Sequence, residues 1–228
     1  MDDLECEVSV LPADSINEAA KVMALAFSDS PAYNFIFQGD LAYRRAALEW
    51  VFVRNLSLIH CRNPSAFRGV VDRKADTIMA CFLWIPSCDS KLSTWDLVVT
   101  AGFWMIPFKF GLSTLKRLLQ VIDNENKAKV FFSNSEESDP YVVLERMAVH
   151  PDFQGKGLGT KCLRSMISKI TVPLRLQTQE LRNITFYERL GFRVVGNLKL
   201  SENDHEDRYT FTSWFMTRKP ATDDVDDE

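Results

Sequence analysis

The chain has little of what several protein classes require. Its longest apolar stretch, residues 97–110, is interrupted by Lys109 and is shorter than the roughly 20 apolar residues that cross a bilayer. Basic residues are not in excess, because 27 Lys and Arg stand against 31 Asp and Glu and the net charge is −4. No global positive field therefore attracts nucleic acid. We expect a protein that neither spans a membrane nor binds nucleic acid.

Cysteine and histidine are scarce as well. The five cysteines are odd in number and irregularly spaced, which does not suit a disulfide framework. Cys81 and Cys88 have six residues between them and no histidine nearby, so no metal site is expected. The run Met1-Asp2-Asp3 is acidic where a signal peptide would be basic. These features together predict reduced thiols in a cytoplasmic protein.

Two common phosphate-binding motifs are missing. No Gly-x-x-x-x-Gly-Lys-Ser/Thr run occurs, which excludes a Walker loop. The dinucleotide fingerprint Gly-x-Gly-x-x-Gly fails because Cys162 stands three residues after Gly159. Neither kind of nucleotide site is therefore expected.

What is present is a different glycine-rich run, Gln154-Gly155-Lys156-Gly157-Leu158-Gly159-Thr160, between a predicted strand and a predicted helix. The strand covers residues 141–149, and Pro151 ends it because proline has no N–H to donate. The helix is indicated by apolar residues at intervals of three and four: Leu158, Cys162, Leu163, Met166, Ile167 and Ile170. Free N–H groups at a helix N-terminus, with the charge of Lys156, favour an anion such as a pyrophosphate. The alternative is an ordinary glycine-rich turn.

Residues 154–159 resemble the Gln/Arg-x-x-Gly-x-Gly/Ala signature of the GCN5-related N-acetyltransferases (GNATs), an acetyl-CoA-dependent superfamily. A second run, Phe186-Tyr187-Glu188-Arg189-Leu190-Gly191-Phe192, resembles the Leu-Tyr-Glu-Lys-Leu-Gly-Phe run that closes this fold. The two runs occur in the family's order and at its usual distance, and the resemblance covers about 8–218. It implies an α/β (α+β) fold with a mixed, mostly antiparallel central sheet of about seven strands flanked by helices.

The rest of the sequence supplies elements for such a sheet. Strands are predicted at 8–11, 67–72, 77–85, 141–149, 174–178, 192–200 and 209–217. A first helix ends at Ser30-Pro31, a second covers about 41–60, and another covers 182–190. The polar turn 73–76 predicts a hairpin, and a polar loop, 201–207, joins the last two strands as antiparallel partners. We expect one domain over residues 1–220 and an acidic disordered tail over 221–228.

Residues 87–139 depart from the simplest form of the family, in which a short turn joins the third and fourth strands. This insert has two predicted helical pieces, near 93–103 and 112–124, and many bulky apolar side chains. Long insertions are often functional, so it is expected either to cover an apolar acceptor pocket or to pack on the sheet or on a second subunit. Candidate wall residues of that pocket are Asp29, Tyr33 and Phe35; alternatively, the two aromatic residues belong to the core.

The resemblance implies acetyl-CoA as co-substrate and no metal. Its pantetheine arm would pair with the backbone of residues 147–149 like an added strand, and its pyrophosphate would bind the amides of residues 155–160. Many members carry an asparagine seven residues before the tyrosine, where this chain has Glu180, and Asn183 is the candidate substitute. The predicted cofactor-binding residues are Met147, Ala148, Val149, Gln154, Gly155, Lys156, Gly157, Leu158, Gly159, Thr160 and Asn183.

Two residues are predicted to be catalytic. Tyr187 occupies the position where the family usually keeps a tyrosine that protonates the departing thiolate, and a phenol of pKa about 10 can protonate a thiolate of pKa about 8.5 as charge accumulates on sulfur. Alternatively, Tyr187 is a core aromatic. Glu145 is the candidate base, because a carboxylate within an apolar strand is paired, neutral or functional. Strand alternation places Val143, Glu145, Met147 and Val149 on one face and Arg146 on the other, so an ion pair with Arg146 is not expected. Glu188 and His150 are weaker candidates.

These features lead to one main hypothesis and two alternatives. The main hypothesis is an N-acetyltransferase that transfers the acetyl group of acetyl-CoA to a small, partly apolar primary amine, by direct attack with a general base and a general acid. The first alternative is a protein N-terminal or lysine acetyltransferase, which an open groove beside Glu145 would favour. The second is a CoA-binding or interaction module without catalysis.

Overall fold

Seven strands form one mixed sheet in the computed structural model, which describes residues 7–89, 102–132, 139–203 and 206–220. The strands are β1 (Ser9–Val10), β2 (Phe67–Asp72), β3 (Thr77–Pro86), β4 (Val142–Val149), β5 (Leu174–Thr178), β6 (Arg193–Asn203) and β7 (Glu206–Arg218). Their order across the sheet is β1-β2-β3-β4-β5-β7-β6. All neighbours are antiparallel except β4 and β5. The predicted fold class is confirmed.

Helices cover both faces of this sheet. They are α1 (Ile16–Phe27), α2 (Pro31–Ile36), α3 (Leu41–Arg62), α4 (Ile106–Phe110), α5 (Leu112–Lys127), α6 (Leu158–Ile167) and α7 (Leu181–Glu188). None of these helices has the length and apolar character needed to span a bilayer, a statement limited to the described residues.

The sheet separates two apolar layers, because alternate residues of the central strand β3 point to opposite faces. Cys81 and Leu83 pack with helices α1 to α3, whereas Phe82 and Trp84 pack with α6 and the residues around α7. Eight consecutive β3 residues beyond Thr77 are buried, as expected for a strand covered on both faces. Because apolar layers cover both faces of the sheet, a ligand can reach the strand backbone only where two neighbouring strands separate.

Most of the predicted connections are confirmed. The hairpin of β2 and β3 turns at residues 73–76, and β6 pairs with β7 in antiparallel fashion. The predicted polar loop 201–207 is shorter than expected, because β6 extends to Asn203 and β7 begins at Glu206. Parts of other predictions lie outside the described residues: positions 93–101 of the first insert helix, positions 133–138 at the end of the insert, and the tail 221–228.

Helix α2 was not predicted. Pro31 ends α1 in the sequence interpretation, but in the structure it is the first residue of a new helix, preceded by an extended Ser30. Proline suits this position because its missing N–H is not needed in the first helical turn. The short helix places Tyr33 and Phe35 on different sides, which matters for the site described below.

Candidate functional site

The glycine loop, residues 154–160, joins the end of β4 to helix α6. Gly155 and Gly157 have φ of +73° and +75°, in the left-handed region that disfavours side chains. A Cβ built on either residue would meet no atom within 4 Å, so the loop is open on that side. None of the backbone N–H groups from Gly155 to Thr160 donates to an acceptor in the described part of the chain. The loop therefore presents a row of free donors at the positive end of α6.

Side chains around the loop hold it against β4. Gln154 donates from Nε2 to the Val149 carbonyl over 2.9 Å. Lys156 folds back, because its Nζ donates to the Asp152 carbonyl over 2.7 Å. His150 accepts the N–H of Asp152 at Nδ1 over 3.3 Å and so caps the turn. The loop geometry is thus fixed without use of its amides.

Strands β4 and β5 run parallel but separate along their length. They pair at two positions only, Val142 with Leu174 and Val143 with Arg175. Residues 144–149 have no strand partner on that side among the described residues. A free strand edge of this kind can accept an extended ligand as an added strand. The predicted pantetheine contacts, Met147 to Val149, lie on this edge.

A β-bulge accompanies this separation. Between its pairings with Leu83 and Cys81, β4 has two residues, Arg146 and Met147, where β3 has one. Arg146 has φ of +52°, which is uncommon for a residue with a side chain. A bulge bends its strand and increases the local twist, so it turns β4 away from β5.

The bulge also changes which face each β4 side chain occupies. The predicted alternation, with Glu145, Met147 and Val149 on one face, is wrong. Met147 and Val149 pack with the α6 layer, whereas Glu145 lies opposite Leu83, whose side chain belongs to the other layer. The expectation that Arg146 faces away from Glu145 is wrong as well, because Arg146 Nη1 forms an ion pair with Glu145 Oε2.

Five interacting residues form a partly exposed acidic cluster on the α1–α3 face, which we name the acidic recess: Tyr33, Glu125, Glu145, Arg146 and Gln177. Gln177 on β5 donates from Nε2 to Glu125 Oε1 on α5 over 2.6 Å. Tyr33 on α2 interacts through its side chain with Arg146. The charged groups of the recess therefore come from α5 and β4, while β5 and α2 supply neutral partners.

Electrostatics in the recess follow from partial desolvation. Glu125 is exposed at the surface of α5, but the protein groups around its carboxylate raise its pKa above the ordinary value by desolvation, and the charge of Glu145 acts in the same direction. Burial likewise raises the pKa of Tyr33. Desolvation alone would lower the pKa of Arg146, but Glu145, Tyr33 and Glu125 together raise it. Arg146 therefore remains a cation beside two carboxylates.

Tyr187 lies on α7, in the layer opposite the recess. Its ring packs on Phe186 and Phe192 with centroids 5.0 Å and 5.7 Å apart, and the residue is 9% exposed. Its hydroxyl makes no hydrogen bond with any described residue. Burial raises its pKa, so the phenol is protonated at neutral pH and can donate. Gly191, with φ of +84°, ends the helix as predicted.

The remaining predicted site residues have structural partners. Asn183 donates from Nδ2 to Thr178 Oγ1 over 3.2 Å and so attaches α7 to the end of β5. Glu180 forms an ion pair with Arg182. Gly159 lies beside Met147, since a Cβ built there would be 3.6 Å from the Met147 Cε. The cofactor roles of these residues stay predictions.

The candidate wall residues divide between core and recess. Phe35 is 1% exposed and packs on Phe211 with ring centroids 5.6 Å apart, so it belongs to the core. Tyr33 combines both roles, because its ring packs on Phe52 with centroids 5.6 Å apart while its side chain interacts with Arg146 of the recess. Asp29 forms an exposed ion pair with Arg44, 3.5 Å between the charged atoms.

The insert contributes to the recess in a way that the sequence interpretation missed. Its helix α5 is anchored by Arg117, whose Nε donates to the Ile36 carbonyl over 3.1 Å, and its other end brings Glu125 to Gln177. The polar residues of this helix could have indicated such a role, because the face of α5 that the structure buries includes Thr114, Arg117 and Asn124. A polar inner face on an otherwise amphipathic helix indicates polar partners rather than a core.

Comparisons with known proteins agree with this architecture. A family model described as "Acetyltransferase (GNAT) domain" matches residues 117–194. Arylalkylamine N-acetyltransferase 2 from Aedes aegypti matches 93% of this chain and 98% of its own, with 12% identity and a TM-score of 0.59. Polyamine N-acetyltransferase from Drosophila melanogaster matches 93% and 99%, with 10% identity and a TM-score of 0.59. A structure of histone acetyltransferase HPA2 and related acetyltransferase from Corynebacterium glutamicum matches 96% and 98%, with 19% identity and a TM-score of 0.57. At these identities the structures show a shared fold.

Proposed function

We propose that the chain is a GNAT acetyltransferase, on the match of residues 117–194 to the GNAT domain model, and that it transfers the acetyl group of acetyl-CoA to a small primary amine. The observation that carries the proposal is the gap between β4 and β5. On one face of the sheet, the free β4 edge leads into the glycine loop, and Tyr187 belongs to the same layer as Met147 and Val149; on the other face lies the acidic recess. A donor and an acceptor that enter from opposite faces can meet there.

The residues on the loop side fit coenzyme A. The free amides of residues 155–160 match the needs of a diphosphate, which would otherwise remain unpaired. The free edge of β4 over residues 147–149 can pair with the amide groups of a pantetheine arm. Bound there, acetyl-CoA would supply the thioester that is the acyl donor.

Tyr187 is the proposed general acid. Its raised pKa keeps the proton on the phenol until negative charge develops on a neighbouring sulfur. Its buried hydroxyl has no competing partner among the described residues, so the proton is available. Glu145 stays a candidate base, although its ion pair with Arg146 gives it a second, structural role.

A small acceptor is favoured over a protein. Helix α5 of the insert packs against α2 through Arg117 and brings Glu125 beside β5, so the insert occupies ground on the α1–α3 face that a polypeptide acceptor would need as an open groove. Among the proteins of similar fold, two are named as arylalkylamine and polyamine N-acetyltransferases. Both names describe small amines, and the excess of carboxylates in the recess suits a cation of that kind.

The proposal is tested in two steps with the full-length chain. Isothermal titration calorimetry with CoA measures whether the coenzyme binds. Incubation with acetyl-CoA and a panel of tryptamine, phenylethylamine, agmatine, spermidine and lysine-containing peptides, followed by mass spectrometry, identifies any acetylated product. Acetylation of a small amine in preference to the peptides is expected. Binding of CoA without any acetylated product would leave only a binding module, and preferential acetylation of the peptides would favour a protein acetyltransferase.

A further inference from the structure

We propose that Glu125, on helix α5 of the insert, binds the ammonium group of the acceptor and takes its proton. The proposal rests on the proposed function, since it assigns a role within the same site. It differs from the sequence interpretation, which gave the base to Glu145 on β4 and an apolar lining to the insert.

The position of Glu125 places it at the gap in the sheet. Gln177, to which it is bonded over 2.6 Å, belongs to β5, one of the two strands that border the gap. Glu145 and Arg146 belong to β4, the other strand. The charge of Glu125 also affects the pKa values of both Arg146 and Tyr33, so its exposed carboxylate lies near the β4 border of the gap as well as near β5.

The partners of the two carboxylates differ in kind. Glu145 is paired with a guanidinium, which does not lose its proton in proteins. The hydrogen-bond partner of Glu125 is the neutral amide of Gln177. A carboxylate already neutralised by a fixed cation gains less from a substrate cation than one that is bonded only to an amide. Glu125 is therefore the better ligand for an ammonium group.

The charge count supports the same assignment. Glu125 and Glu145 carry two negative charges and Arg146 carries one positive charge, so the recess holds one negative charge in excess. A monocationic amine neutralises it. Desolvation raises the pKa of Glu125, and a base whose pKa lies closer to neutrality accepts a proton more readily.

The step balances in protons and electron pairs. Glu125 takes one proton from R–NH₃⁺, which leaves R–NH₂ with a free electron pair. That pair forms the C–N bond at the thioester carbonyl, the C–S bond breaks, and the sulfur takes the proton of Tyr187. The second proton lost by nitrogen returns to Tyr187, and Glu125 releases its proton to solvent. The sum is an acetamide, a thiol and one proton.

The test compares Glu125→Gln with Glu145→Gln and with a control, Asp123→Asn, in the full-length protein. Asp123 lies on the same helix but forms an exposed ion pair with Lys127. The acceptor is whichever amine of the panel the unmodified protein acetylates. At pH 7, Glu125→Gln is expected to lower kcat/KM for the amine by about 100-fold or more, while the Kd for CoA and the activity of Asp123→Asn stay within about threefold. Raising the pH to 9.5 should restore much of the loss, because solution then supplies neutral amine.

Several outcomes distinguish the proposals. If the unmodified protein acetylates no amine, the proposed function fails before Glu125 is tested. If it does turn over and Glu125→Gln keeps its activity, or if the loss and its recovery at high pH belong to Glu145→Gln alone, the assignment of Glu125 is overturned. Glu125→Gln retains an oxygen acceptor for Gln177 and is expected to fold. If the melting temperature of Glu125→Gln falls, Glu125→Asp is tested as well. It keeps the negative charge on a side chain shorter by one methylene, and its kcat/KM must lie between those of the unmodified protein and Glu125→Gln.

Discussion

Replacing Gly157 by alanine should separate the stability of the glycine loop from its ability to bind a ligand. Gly157 has φ of +75° and ψ of 6° at the start of α6. An alanine in this left-handed conformation costs about 1–2 kcal/mol, and the reduced entropy of the unfolded chain returns about 0.4–1 kcal/mol. No atom lies within 4 Å of the added Cβ, so no steric term is added. A net loss of about 1 kcal/mol lowers the melting temperature of a chain of this size by roughly 2–4 °C.

The effect on CoA should be larger than the effect on stability. The added methyl group projects into the open side of the loop, where the diphosphate is proposed to approach the amides. Loss of one hydrogen bond to a charged group costs about 1.5–3 kcal/mol, which corresponds to roughly a 10- to 150-fold rise in Kd. Isothermal titration calorimetry with CoA measures this Kd directly.

Gly102→Ala is the matched control. Gly102 also has a left-handed conformation, with φ of 71° and ψ of 26°, and it also precedes a helical turn. Its added Cβ would be 3.6 Å from the Arg54 Nε, an ordinary contact. The two variants should therefore lose similar stability, but only Gly157→Ala should lose CoA affinity. Equal Kd values for both variants and the unmodified protein would refute the loop as the diphosphate site.

Three further predictions concern catalysis, the insert and pH. Tyr187→Phe should lower kcat by about 100-fold or more and change the Kd for CoA by less than about threefold; equal losses in the two would remove the acid role. Arg117→Ala should cost about 2 kcal/mol, because a buried charged donor to the Ile36 carbonyl is lost, and should raise KM for the amine without changing CoA affinity; an unchanged melting temperature would contradict the anchoring role. Because burial raises the pKa of folded Tyr187 above its unfolded value of about 10, the stability it contributes is present below pH 10 and is lost as the pH rises further. Urea unfolding at pH 8 and pH 10.5 should therefore show a smaller alkaline loss for Tyr187→Phe, and identical losses would show that the pKa of Tyr187 is the same in the folded and unfolded protein, against the proposed effect of burial.

Local patterns predicted the sheet and the glycine loop well. Strand β3 is a run of apolar residues that ends at a proline, and the glycines at 155, 157 and 159 stand between a strand pattern and a helix pattern. These features depend on residues close together in the chain, so the sequence shows them directly. The positive φ values of Gly155 and Gly157 follow from the same local logic.

The bulge at Arg146 could not be predicted in that way. Glycine or asparagine usually marks a positive φ, and residues 142–149 contain neither. Period-two alternation assumes an unbroken strand, so one extra residue exchanged the faces of Met147 and Val149 and hid the ion pair of Glu145. The conformation depends on tertiary contacts, with Glu145 and Tyr33, that lie beyond any local pattern.

The role of Glu125 was hidden for a related reason. Nothing in the sequence near Glu125 indicates β5, because Gln177 is 52 residues away. The apolar content of the insert suggested either a cover for an acceptor pocket or packing on the sheet, and Phe110 packs on the core residue Phe37 with ring centroids 5.4 Å apart. The buried polar residues of α5 instead indicate polar partners, and those partners can be identified only when the neighbouring elements are known.

The bulge, the gap and the recess have a common physical origin. A left-handed conformation at a residue with a side chain costs free energy, and it is retained here where Arg146 can reach both Glu145 and Tyr33. The same extra residue bends β4 away from β5, which frees the backbone edge next to Met147. Because of this one distortion, β4 has a free backbone edge between two apolar layers. The amides of the glycine loop lie on one side of this edge, and the carboxylates of the acidic recess lie on the other. Since a diphosphate and an ammonium group carry opposite charges, each side attracts one of them and repels the other, and charge alone would direct the two substrates to opposite faces of the sheet.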